Sequence, residues 1–192
     1  MAGKLIQKAL VVISLLGTTF VSLNAAGTTN SLFAIEGGSS SLNAQTNTAG
    51  YEIQKASMGH FGLKLGAEGE NYRVFFSARN FLAEGDNKVL TAGIEAQYKF
   101  NFSKPVDFFI GANGGTAYIE IEPNGANPIV DITTPYFGAD VGFNYHVSQA
   151  TDLELGVKYM YIDNSITQGA TTYDFRDLTS VYGSIIFKWQ MD

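Results

Sequence analysis

The sequence predicts an all-β chain folded as an eight-stranded antiparallel up-and-down transmembrane β-barrel. Three observations carry that prediction: apolar and polar residues alternate over unusually long segments, long and short connections alternate between those segments, and an apolar leader precedes them. The alternation is clearest from Leu90 to Asn101, where every even-numbered residue is apolar or aromatic and every odd-numbered one is polar, charged or Gly. Side chains of an extended strand point to opposite faces in turn, so this stretch has one greasy side and one wet side. Soluble strands typically run about 5–6 residues, whereas a tilted membrane-crossing strand needs about 9–11.

The leader is residues 1–26. Lys4 and Lys8 precede the apolar run Ala9 to Leu16, and small residues close the segment at Asn24-Ala25-Ala26. This is the layout of a secretory signal peptide, cleaved after Ala25 or Ala26. Gly17, Thr18 and Thr19 interrupt the run well short of the ~20 residues a spanning helix needs. Residues 27–192 then form one barrel domain. Of the 192 residues only 16% are charged while 13% are aromatic, a balance suited to a surface that meets lipid. The formal net charge of −6 becomes −8 without Lys4 and Lys8, leaving 10 basic against 18 acidic residues, so no nucleic-acid footprint is present. The absence of Cys removes disulfides, thiolate metal sites and a lipid-modified N-terminal Cys.

Period-2 patterning places the strands at 30–39, 56–66, 71–81, 89–101, 106–119, 135–147, 152–162 and 178–189. The connections 40–55, 82–88, 120–134 and 163–177 are long and rich in Asn, Thr, Gly and Asp; 67–70, 102–105 and 148–151 are short. Outer-membrane barrels have an even strand number, short periplasmic turns and longer outside loops. The alternation therefore predicts an outer-membrane location with both termini periplasmic. Pro123, Asn124-Gly125, Pro128 and Pro135 predict a loop ordered by turn chemistry, while 40–50 and 163–172, rich in small polar residues, predict mobile loops.

Three features set the orientation of the greasy face. The polar face carries Gly62, Gly93, Gly111, Gly138, Gly142 and Gly156, which relieve crowding in the narrow interior of an eight-stranded barrel. Its charges nearly balance: Lys64, Arg73, Arg79, Lys99, Lys158 and Lys188 face Glu36, Glu95, Asp107, Asp140 and Glu154, with His60 on the same side. A cramped interior accepts such groups only when paired. The apolar face ends in aromatics, with Tyr72, Tyr98, Phe100, Phe108, Tyr145, Phe187 and Trp189 toward one rim and Tyr136, Phe137, Tyr159 and Tyr161 toward the other. Ile94, Ile110, Val141, Val157 and Ile185 lie between them. Two aromatic girdles around an aliphatic waist match a bilayer. The prediction is lipid outside, and a lumen filled by charged and small side chains, with Asp140 and Lys158 near the middles of adjacent strands and Arg79 and Glu95 in another hairpin.

With the eight strands, the loop rhythm and the aromatic final strand Val181-Tyr182-Gly183-Ser184-Ile185-Ile186-Phe187-Lys188-Trp189 in view, residues 27–192 resemble the small outer-membrane barrels. That group includes the OmpA transmembrane domain, OmpX and the neisserial opacity proteins. The resemblance implies recognition of the C-terminal strand by the outer-membrane assembly machinery. Here Gln190-Met191-Asp192 follow Trp189, and Gly183 shares the face of Phe187 and Trp189.

His146-Val147-Ser148 is similar in spacing to the catalytic pair of outer-membrane lipid A deacylases, but it falls at a short turn and no Glu follows at comparable spacing. No catalytic residue, cofactor or metal is therefore predicted. Asp131, Asp163, Asp174 and Asp177 have no calcium-loop spacing. The expectation is a monomeric barrel with a structural or surface-interaction role in adhesion or envelope integrity. Its partners would be outer-membrane lipid, lipopolysaccharide and a surface ligand at the long loops. The alternatives are a low-conductance pore for small solutes and a lipid-modifying enzyme.

Overall fold

The computed structural model describes residues 30–46, 54–82, 88–121, 130–168 and 171–190. They form eight strands: β1 Asn30–Thr46, β2 Gln54–Glu68, β3 Tyr72–Leu82, β4 Lys88–Ser103, β5 Val106–Ile121, β6 Val130–Ser148, β7 Thr151–Gln168 and β8 Thr171–Gln190. Each pairs antiparallel with its sequence neighbours, and β1 closes onto β8 from Asn30↔Gln190 to Thr46↔Tyr173. The expected signal peptide, Pro123, Asn124-Gly125 and Pro128 lie outside the described residues.

The register fixes the geometry. Paired residues followed once round the wall run Leu82, Gly59, Ser39, Val181, Val157, Val141, Ile110, Tyr98, Tyr72, returning to β3 ten residues from the start. A shear of this size in an eight-stranded barrel accompanies a strand tilt of about 40°. At about 3.3 Å per residue each residue then contributes roughly 2.5 Å of height, so a belt ~25 Å tall takes about ten residues. These strands have 11 to 20 residues, and most overshoot the belt.

Within the belt the greasy face looks outward. Ile35, Phe61, Leu63, Ile94, Ile110, Val141, Val157 and Ile185 are exposed, and Leu155 and Phe137 reach 62% and 65%. A soluble monomer rarely exposes a continuous apolar surface of this extent, whereas in hydrocarbon it is the favoured surface and closure leaves no unpaired strand edge. Near the turn rim Tyr98, Phe100, Phe108 and Phe143 form a chain of ring contacts with centroids 4.8, 5.9 and 5.6 Å apart. At the other boundary Phe137 and Tyr161 meet at 5.2 Å.

Two expectations are corrected here. Tyr136 does not belong to the outer girdle: it lies one residue out of phase with Phe137, points inward and is 3% exposed. The segment 163–177 is mostly strand, since β7 and β8 pair as far as Gln168↔Thr171 past a bulge between Tyr161 and Asn164. The strands β1, β2, β5 and β6 also extend into the predicted loops. The extensions escaped a period-2 reading because their polarity inverts. On β8, Phe175 and Leu178 are buried inside while Arg176 is exposed outside; on β7, Ile162 is buried and Asp163 exposed. Above the belt the outer face meets water, so the apolar residues move to the interior. The described short turns, 69–71, 104–105 and 149–150, lie at the rim shared by the start of β1 and the end of β8.

Val157→Arg, in the middle of the belt, is expected to destabilise the barrel by about 2–4 kcal/mol in urea unfolding from phospholipid vesicles. Asp163→Arg, beyond the belt, should stay within about 0.5 kcal/mol of the parent.

Candidate functional site: the lumen network

All twelve charged or His residues predicted for the lumen face it. At its centre two carboxylates, Glu36 of β1 and Glu95 of β4, are held by three cations, Lys64 of β2, Arg79 of β3 and Lys158 of β7. Lys64 Nζ lies 2.6 Å from Glu36 and 3.6 Å from Glu95; Lys158 Nζ lies 2.9 Å from Glu95 and 3.6 Å from Glu36. Arg79 donates to both carboxylates and to Ser77 Oγ at 3.0 Å. Every one of these charged side chains is at most 1% exposed. Period 2 puts one inward position at this level on each strand, and eight strands bring those positions together around the axis.

The network continues toward the turn rim. Lys64 reaches Glu154 at 3.0 Å, and Glu154 also accepts from Arg73. Arg73 donates to Gln97 at 2.5 Å and to Asn144 at 3.3 Å. Asn144 donates to Asp152 at 2.9 Å, and Asp152 receives Lys188 at 2.7 Å. His146 bridges Asp152 and Asp107, with one ring nitrogen 2.9 Å from each. In the other direction Glu36 meets His60 Nε2 at 3.3 Å, His60 Nδ1 lies 2.8 Å from Ser40, and Ser40 lies 2.7 Å from Ser180. Lys99 pairs separately with Glu68 at 3.0 Å. A connected line of polar groups thus runs along most of the lumen.

Buried aromatic residues complete the packing, with Phe75 against Lys64 and Arg73 and Phe109 against Arg73. Tyr182 is 1% exposed and carries the ammonium groups of Lys64 and Lys158 at 4.7 and 4.6 Å from its ring centroid. Gly156 makes room for it: a Cβ there would lie 2.8 Å from the Tyr182 ring and hydroxyl. Gly93 does the same for the Tyr136 hydroxyl. At these two positions an inward glycine makes room for a buried tyrosine.

The pairing of Asp140 and Lys158 needs correction. They are register partners on β6 and β7, but Lys158 extends across the lumen to the two glutamates. Asp140 accepts from Gln97 at 2.6 Å and Asn113 at 3.4 Å. The long lysine reaches the stronger negative field of two carboxylates, while the short aspartate reaches only amides on β4 and β5. Arg79 and Glu95 do bond directly across β3 and β4. Glu68, Asp152, Gln97, Asn113, Asn144 and Tyr182 were missed; each lies on the inward phase of its strand, which was the available signal.

The lumen is not charged and small throughout. Its loop end is an apolar layer of Leu42, Met58, Phe81, Val89, Ile119, Tyr136, Met160, Ile162, Phe175 and Leu178, all at most 5% exposed. The prediction failed there because apolar residues were assigned to the lipid face; even within the belt Leu32, Phe75, Phe109 and Ile186 are buried inside, and beyond it the assignment reverses. Beyond the belt, Lys88 and Tyr118 donate to Glu120 at 2.8 and 2.7 Å, and those hydrogen bonds hold its carboxyl below the usual range.

His146 and Ser148 bond to other partners and not to each other. Both His146 nitrogens are engaged by Asp107 and Asp152, and Ser148 Oγ accepts from the Ala150 N–H at 3.2 Å. Among the described residues, no cluster of three or more His, Cys, Asp or Glu side chains is arranged to hold a metal.

Closed eight-strand topology, an apolar outer belt and a filled polar lumen define a small transmembrane β-barrel of the outer-membrane type. Comparison with solved structures supports this fold. Neisserial surface protein A superposes with a TM-score of 0.64 at 18% identity, covering 82% of this chain and 97% of that one. OprG of Pseudomonas aeruginosa gives 0.60 at 16%, covering 86% and 99%. The N-terminal barrel domain of P. aeruginosa OprF gives 0.53 at 10%, covering 86% and 100%. No protein family and no curated protein matches the sequence.

Removing Glu95 should hurt more than removing Lys158, because the central group has three cations and two carboxylates. Glu95→Gln is expected to lose about 3–5 kcal/mol, with Lys158→Ala lowering the melting temperature by a smaller step. The reverse order in thermal and urea unfolding would contradict this charge arrangement.

Proposed function

We propose that the chain is an outer-membrane protein with a structural and surface-contact role, anchoring the envelope and presenting its loop end outside. Residues 1–26 serve as its export signal, and both termini lie in the periplasm with the short turns. The carrying observation is the filled lumen. A buried ion network occupies its centre and an apolar layer covers the loop end. Eight strands leave an interior only wide enough for side chains, and ions crossing it would have to break paired buried charges.

The overshooting strands support the surface role. Above the belt they carry polar and charged residues on the outer face, such as Asp163 and Arg176. A location in the outer membrane follows from the exposed belt together with the aromatic rims. The name of neisserial surface protein A, a neighbour in fold, is consistent with this reading.

Purified protein is expected to shift in gel mobility on boiling, to extract with outer membranes, and to give no reproducible conductance steps in planar bilayers. Stable steps would favour the pore reading. Overexpression should leave lipid A unaltered, and His146→Ala should match the parent in that assay; altered lipid A that depends on His146 would favour the enzyme reading.

A further inference from the structure

The outer wall of β3, β4 and β5 is not uniformly bulky. Register places Val74, Ala96 and Ala112 side by side across these strands, and Tyr72, Tyr98 and Ile110 side by side in the next outward row toward the turn rim. The second row projects well, with its members 45%, 49% and 51% exposed. Residues two apart along a strand are separated by about 7 Å, so the small row forms the floor of a groove beside a ridge. Its volume is about 410 Å³. Arg73 and Gln97 border the groove, but both side chains are buried in the lumen network on the other side of the wall.

We propose that this groove holds one acyl chain of a phospholipid from the leaflet at the turn rim. The inference rests on the membrane reading above. The groove is continuous with the lipid-facing belt, so hydrocarbon is the medium that reaches it. Its floor and ridge are apolar, and a flexible chain follows a groove bent over three tilted strands, gaining dispersion contacts that a void would forfeit. The Tyr72 and Tyr98 phenols mark its lower end, at the level of the turn-rim girdle. An aromatic ring there sits where the ester and headgroup region begins, which selects the phospholipid of that leaflet.

The test is native mass spectrometry of the barrel refolded into phosphatidylethanolamine vesicles and released in mild detergent. The parent is expected to carry a single retained phospholipid. Filling the floor with Ala96→Phe and Ala112→Phe together should lower that retention about tenfold, the loss for a weakening near 1.4 kcal/mol. Val157→Phe, on the far wall, should leave it unchanged. Because these positions face outward, folding is checked independently by the heat-dependent gel shift. Undiminished retention in the folded double variant overturns the groove assignment and leaves the membrane reading standing. Preferential retention of lipid A over phospholipid, when both are supplied, overturns the leaflet assignment and with it the proposal. A parent protein that fails to insert into vesicles removes the membrane reading and the groove together.

Discussion

An eight-stranded barrel closed with a shear of ten leaves a narrow interior that side chains must fill, and here the central ones are ionised. Taking a carboxylate or ammonium out of water costs several kcal/mol even after relaxation, so each must find opposite charge and hydrogen bonds in place. Glu36 and Glu95 meet this demand with Lys64, Arg79 and Lys158, and no two of these five come from the same strand. The network therefore depends on the register of β1, β2, β3, β4 and β7 together. A slip of one residue in any of them would turn its charge into the lipid and an apolar residue into the lumen.

The same closure accounts for the small residues. Tyr182 can stand between Lys64 and Lys158 because Gly156 has no side chain, and Tyr136 can enter the upper lumen because Gly93 has none. The polar line from Ser180 through His60 to Asp107 is thus a filling of the barrel, with both ring nitrogens of His146 used to tie β5, β6 and β7 at the turn rim.

Along its length the barrel meets two solvents, and the strand chemistry follows them. In hydrocarbon the outside is apolar and the inside mixed, with Leu32, Phe75, Phe109 and Ile186 packed among the buried charges; above that level the outside is polar and the inside apolar. Phe175 and Leu178 bury where Ser180 and Ser184, lower on the same strand and the same face, are polar. The apolar layer this creates covers the ion network on the loop side and ties the overshooting strands into a packed cap.

Local alternation within the belt was enough to read the eight strands, the outward waist of Ile94, Val141 and Val157, and the inward phase of all twelve predicted charged or His residues. A period of two is a property of single strands and needs no tertiary information. Which inward groups bond to one another was decided by register and reach: Lys158 sits opposite Asp140 on paper and bonds to glutamates from distant strands. The strand ends were equally hidden, because the greasy face reverses beyond the belt and a bulge breaks the period, leaving Phe175 and Leu178 on one face. That reversal depends on where each residue lies relative to the lipid boundary, a height set by the tilt and shear of the closed barrel.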